Sequence, residues 1–226
     1  EYYTQKAVSF KKSPVFQDNL QHITAWLRAG EMSAANIETQ PFHKDNFKNN
    51  LIEIRKLTLL SPADFKANLK KLCSSSGVAL VFVPEFEKTH ICGATRWLTQ
   101  DKAMIIMSLR YKTNDHFWFT FFHEAGHILI HGKKEVFLDD SKGYSSKEEL
   151  EANRFAESFL IPDSEYQKFL FMEKFEKENI LAFAKKIGIH PAIVLGRLQY
   201  DKKIPYACKK ELHDLKEKFK FVVTEN

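Results

Sequence analysis

Over 16–75 apolar residues recur at helical spacing in three runs: Leu20, Ile23 and Leu27, then Leu51, Ile54 and Leu57, then Phe65, Leu69 and Leu72. Side chains three and four apart share one face of an α-helix, so each run predicts an amphipathic helix with its apolar stripe turned to a core. Ser61-Pro62 suits the start of the third, with a hydroxyl cap and a proline in the first turn, and Gly77 suits its end. The pattern then changes. Short β-rich runs over 78–83, 93–98 and 103–109, parted by polar links such as Thr99-Gln100-Asp101-Lys102, predict a small sheet after the helices.

A helix is expected over 115–131, capped by Asn114 or Thr113, with Gly132 where a left-handed terminal residue is wanted. It is apolar on nearly all sides and must be buried, which makes ionisable residues within it expensive unless they are paired or bound to a metal. A polar link over 133–146 leads to a helix over 147–161 that Pro162 ends, and two more helices are expected near 173–187 and 191–199. Over 202–220 basic and acidic residues interleave, which reads as a solvated helix face.

Composition narrows the class. The 226 residues, 44% apolar and 28% charged, suffice for one full core and a satellite domain, and they argue against disorder. A net charge of +5, spread along the chain, permits nucleic-acid binding without arguing for it. Cys73, Cys92 and Cys208 are too scattered for a disulfide framework or a Cys-x-x-Cys metal site, so a reducing compartment is expected. The most apolar stretch, 117–130, is interrupted by His123, Glu124 and His127, which a lipid-facing helix would not carry. The expectation is a cytoplasmic protein with no membrane partner. Its first residue is Glu, not Met, so a missing upstream segment is expected.

The chemistry lies on the apolar helix, in His123-Glu124-Ala125-Gly126-His127. Four residues apart, the two imidazoles stand on one face and can reach one tetrahedral ion, and two neutral nitrogens suit zinc. Glu124 is rotated by about 100° from His123, beside the metal, where it can take a proton from an activated water. The pentapeptide alone is moderate support, since composition produces it in on the order of a few chains per hundred. Two imidazoles and a carboxylate within one turn of a buried helix, with no cation to neutralise them, is the less economical reading.

A third histidine ten positions after the first would mark a metzincin, but position 133 is Lys. His131 lies a turn too far along and reads as a helix-end residue. A glutamate from the next helix is the alternative, with Glu148, Glu149 and Glu151 as candidates. Glu149 shares a stripe with Asn153, Ala156 and Leu160 that can pack on the metal helix, which makes it the first choice and Glu151 the second. Asn153, one turn on, can then accept a hydrogen bond from a ligand imidazole.

Phe117-Trp118-Phe119-Thr120 before the His-Glu pentapeptide, followed by Glu149-x-Glu151-Ala152-Asn153-x-Phe155-Ala156, closely resembles the ImmA/IrrE family of metallo-endopeptidases. The likeness extends from Trp26-Leu27-Arg28 through Gly93-Ala94-Thr95-Arg96-Trp97-Leu98 to His190-Pro191 and Gly196-Arg197-Leu198. It implies an α+β, zincin-like fold with a small sheet, a buried HExxH helix and flanking helices. It also implies a zinc ion on His123, His127 and Glu149, with Glu124 as catalytic carboxylate. On this reading 1–60 is a helical segment, 61–172 the catalytic domain and 173–226 a C-terminal helical region. Family members often carry a DNA-binding helix-turn-helix domain ahead of the peptidase, so the implied partners are a protein substrate, such as a DNA-binding repressor, and DNA through a missing N-terminal domain. The family often has Asp where Asn153 stands, and Asn also occurs there.

Arg110, Tyr111 and Tyr144 are candidates for stabilising the oxyanion, and an extended substrate could add as a strand to the 93–109 region. A different class of function competes: a transcription regulator or antitoxin-like protein whose metallopeptidase-like domain senses or binds a partner without proteolysis. The stretch 180–198 reads as helix, Gly188 turn and second helix, a pattern compatible with DNA binding, but the second helix offers mostly Ala, Ile, Val and Leu. Packing against the catalytic domain is the favoured use of that stretch.

Overall fold

A computed structural model describes residues 20–86, 91–108, 113–131, 133, 137–140 and 147–219. The three N-terminal runs are helices α1 (Leu20–Ala35), α2 (Lys44–Lys56) and α3 (Pro62–Ser74). Their stripes are buried where the spacing puts them, with Ile23 and Leu27, Leu51 and Ile54, and Phe65 and Leu69 all in the core. After α3, Gly77 turns the chain at a φ of +86°, and a Cβ there would lie 2.3 Å from Phe42 Cα, so a larger residue is excluded twice over.

The sheet has four strands: β1 (Val78–Phe82), β2 (Ile91–Thr99), β3 (Lys102–Met107) and β4 (Phe137–Asp140), in the order β1-β3-β2-β4. The β1–β3 pair is parallel and β2 runs antiparallel to both its neighbours. Alternation along β1 and β3 sends Val78, Leu80, Ala103, Ile105 and Met107 into the larger core, while Ala79, Val81, Met104 and Ile106 meet Trp26, Ile23 and Leu27 of α1 on the other face. Both faces are covered, which is why the strands read as unbroken apolar runs. The arrangement is α+β, as predicted.

Helix α4 (Asn114–Ile130) packs on the face opposite α1 with Phe117, Trp118, Phe121 and Phe122 buried. It is followed by α5 (Lys147–Leu160), α6 (Asp163–Phe171), α7 (Lys177–Ile187), α8 (Pro191–Tyr200) and the short α9 (Lys210–His213). Gly188 makes the left-handed turn between α7 and α8, and α8 then buries Val194, Leu195 and Leu198 in the larger core. The helix–turn–helix stretch is therefore spent on packing. No described helix is long and apolar enough to cross a membrane.

Several expectations need correction. The link over 133–146 contains β4, whose four residues are too few to show a period and whose conformation is set by pairing with β2. Helix α6 was not foreseen: Pro162 does not only stop α5 but stands at the N-cap of α6, which buries Tyr166 and Phe169. Helix α7 starts at Lys177, not near 173, because Glu173 sits at a positive φ of 50° in the turn before it. The helix face expected over 202–220 is not found: the described part, 202–219, is mostly irregular apart from α9 and is drawn back onto the core by Leu212, Leu215 and Phe219. Finally, among the described residues β3 is paired on both sides and β2 is covered by β4 from Ile91 to Thr95, so most of the edge expected over 93–109 is taken up, and the outer strand beside β2 is β4.

Candidate metal centre

Helix α4 supplies the first two groups. His123 and His127 are each 1% exposed, and their rings, one turn apart, have centroids 4.7 Å from each other. The two Nε2 atoms face one another at 3.0 Å. Helix α5 crosses α4 closely because Ala152 and Ala156 are small and wholly buried, and because Gly126 leaves room for Phe155, whose Cδ1 lies 3.0 Å from where a Cβ would stand. That approach delivers Glu149, whose Oε2 lies 3.1 Å from His123 Nε2 and whose Oε1 lies 3.3 Å from His127 Nε2.

Three ligand-type atoms thus converge, all within 4.8 Å of one another. Ligands about 2.0–2.1 Å from a tetrahedral ion stand about 3.3 Å apart, so separations of 3.0 to 3.3 Å suit a shared cation. The protonation states suit it as well. Burial pushes the His127 imidazole below its ordinary value, favouring the neutral ring. Burial would raise the Glu149 carboxyl, but the His123 and His127 rings that face it outweigh burial and bring it down to about 2. A neutral imidazole and an ionised carboxylate are the forms that bind metal. Two nitrogens and one oxygen fit the group that the sequence resemblance implies.

The surrounding contacts complete the site. His123 Nδ1 lies 2.9 Å from Asn153 Oδ1 on α5. His127 Nδ1 lies 2.9 Å from His131 Nδ1, and His131 Nε2 is 3.2 Å from Glu151 Oε2. Glu124 points to the sheet. It is fully buried, its Oε2 accepts a hydrogen bond of 2.5 Å from the Thr95 hydroxyl on β2, and its Oε1 lies 2.6 Å from where a Cβ of Gly93 would be. A family model described as the IrrE N-terminal-like domain of M78 peptidases matches residues 80–199, more than half of the chain.

The chain belongs to this family. No curated protein matches it. The M78 match runs from β1 to α8 and so contains the whole side-chain cluster described above. It bears out the sequence resemblance and the α+β, zincin-like fold, and it places the protein among metallopeptidase-like chains with a trio of groups that could hold a metal.

Of the residues singled out in the sequence, the structure brings His123, His127 and Glu149 together, sets Asn153 against His123, and places Glu124 beside β2. Glu151, the second choice for a ligand, meets His131 instead. Arg110, Tyr111, Tyr144 and Gly132 lie outside the described residues. Sequence reasoning assigns no role to Thr95 and Gly93, which meet Glu124 across the M78 domain; the run from Gly93 to Leu98 that carries part of the resemblance is the available signal. It also undervalued His131, whose four-residue spacing from His127 was the available signal.

Proposed function

We propose that this M78 protein is a zinc-dependent endopeptidase that hydrolyses a peptide bond in a regulatory or repressor protein. The observation that carries the reading is the convergence of His123, His127 and Glu149 at 3.0 to 3.3 Å on a buried helix whose next residue is a second carboxylate, Glu124. Zinc is the ion best suited to two imidazoles and a carboxylate among common cations, and three protein ligands leave a fourth position for substrate or water. When bound, it supplies Lewis acidity that polarises the scissile carbonyl and lowers the pKa of water to about 7.

The chain's own groups do the rest. Glu124 accepts the proton of the attacking water and returns it to the leaving amine, while the Thr95 hydroxyl holds the carboxylate plane by donating to Oε2. Asn153 Oδ1 accepts from His123 Nδ1 and so keeps that ring's Nε2 as a bare lone pair. One to two turns back on the same helix face, His116, Phe119 and Thr120 border a cavity of about 300 Å³ that the three ligand-type residues do not line, and Phe119, its ring centroid 6.4 Å from that of His123, stands between the two.

The test pairs metal content with a single substitution. Bound zinc should be near one per chain in wild type and in Glu124→Gln, and only wild type should cleave a co-encoded DNA-binding repressor. Equal behaviour of the two zinc-loaded proteins overturns the proteolytic reading. One observation favours a second reading, in which the domain senses or binds a partner: Glu124 is 0% exposed. A repressor that binds wild type and Glu124→Gln alike and is cut by neither supports it.

A further inference from the structure

His131 closes α4 as its C-cap, with its backbone N–H bonded to the His127 carbonyl at 3.1 Å. Its side chain is only 7% exposed and lies between two partners. On one side His131 Nδ1 stands 2.9 Å from His127 Nδ1, and on the other His131 Nε2 stands 3.2 Å from Glu151 Oε2. Two neutral rings bring two hydrogens to three gaps, Glu149–His127, His127–His131 and His131–Glu151, and the Glu149 contact, at 3.3 Å, is the longest of the three, so the hydrogens are assigned to the other two. A carboxylate accepts and does not donate, so His131 Nε2 carries the hydrogen and His131 Nδ1 is a bare acceptor. His127 Nδ1 must then carry the hydrogen that fills the 2.9 Å gap, which leaves His127 Nε2 as a lone pair facing His123 Nε2 and Glu149.

We infer that His131 and Glu151 are positioning residues that hold His127 in its Nδ1–H tautomer and aim its Nε2 at the metal. The inference rests on the reading of His127 as a ligand. It gives the two histidines different supports: Asn153 serves His123 directly, whereas a ring and a carboxylate in series serve His127. One helix provides the carboxylate ligand and both supports, since Glu149, Glu151 and Asn153 all lie on α5. Docking of α5 on α4 therefore brings the third ligand and sets both rings in a single step. Lys147 Nζ, 3.7 Å from Glu151 Oε1 and itself 83% exposed, adds little to this chain.

The test uses the full chain with Glu151→Ala, Glu151→Gln, His131→Ala and the double alanine variant. Glu151 is 41% exposed at its side chain, so its replacement leaves the fold intact and thermal melting of the metal-free protein serves as the control. Zinc affinity, by competition with a chromophoric chelator, should fall about 10- to 100-fold for His131→Ala and by about the lower figure for Glu151→Ala. Glu151→Gln, which keeps an acceptor oxygen, should recover most of the loss. The double variant should lose no more than His131→Ala, because the two act in series. Long-range proton–nitrogen spectra of the metal-free protein supply a readout that a merely structural role would not move: His127 should be Nδ1-protonated in wild type and a mixture of tautomers in His131→Ala. Tight zinc binding with affinity and tautomer unchanged in both alanine variants overturns this inference and leaves the metal centre standing. A wild type that binds no zinc overturns the centre itself, and this inference with it.

Discussion

On the proteolytic function proposed above, replacing Gly93 by alanine should part the Glu124 carboxylate from the metal centre. The new Cβ would stand 2.6 Å from Glu124 Oε1, 2.8 Å from Thr120 Cγ2 and 3.0 Å from Glu124 Cγ. The closest ordinary carbon–oxygen approach is about 3.3 Å, so Glu124 or β2 must move by roughly 0.7 Å. Glu124 has no easy retreat, since it is fully buried and its Oε2 is held at 2.5 Å by Thr95. Gly93 does not have a positive φ, so the effect comes from the contact and not from backbone strain. Overpacking of this kind costs about 1–3 kcal/mol of stability, and for a chain of this length each kcal/mol lowers Tm by about 2–4 °C. A displacement approaching 1 Å at the reacting groups costs about 100-fold in rate. The expected outcome is a kcat/KM for repressor cleavage reduced about 100-fold, a Tm a few degrees lower, and zinc affinity within about threefold of wild type. Thr95→Val should mimic the kinetic loss without the crowding, while Thr95→Ser should not. Full activity in Gly93→Ala with an unchanged Tm would show that Glu124 is not confined between β2 and α4 as described.

Asn153→Leu removes the acceptor at His123 Nδ1, so zinc affinity should fall about 10- to 100-fold in a chelator titration, whereas Asn153→Asp should retain it; equal affinities in all three proteins contradict the assignment. Metal removal should lower stability by RT ln(1 + [L]/Kd), about 4 kcal/mol when free zinc is a thousand times Kd, and a melting curve indifferent to chelator excludes a tight site. The metal-free protein should lose stability in acid in two stages. Burial holds His127 below its ordinary value, so the unfolded chain takes up that proton first and stability falls as pH drops through about 6.5. Glu149, at about 2 in the fold against 4.5 unfolded, contributes stability above 4.5 that is lost as pH falls from there towards 2. His116 and His190 are also held low by burial, so His127→Gln should make the first stage shallower without abolishing it in denaturant titrations between pH 7.5 and 5.5, and an equally steep wild type and variant would refute the cause given. In Gly30→Ala a Cβ would meet Ile106 Cδ1 at 2.2 Å, where α1 lies on β3, so a Tm loss from about 1–3 kcal/mol of overpacking is expected with zinc binding unaffected.

What the chain announces by itself is whatever depends on neighbours three or four residues away. The stripes of α1, α2 and α3, the burial of α4, the placing of His123 and His127 on one helix face, and the alignment of Glu149, Asn153, Ala156 and Leu160 all follow from the helical repeat, and a local repeat is visible in one dimension. Which of Glu148, Glu149 and Glu151 approaches the imidazoles was a ranking on spacing until α5 was placed on α4 at the distance that Gly126, Ala152 and Ala156 permit. The position of β2 and β3 inside the sheet, the existence of β4, the Thr95 hydroxyl on Glu124 and the link from His127 through His131 to Glu151 were decided only by folding. Thr95 and Glu124 are 29 residues apart and His131 and Glu151 are 20 apart, and no periodic rule connects groups at such separations. They meet because burying the apolar faces of α4, α5 and the sheet leaves each polar group one place to find a partner, and that constraint exists only in three dimensions.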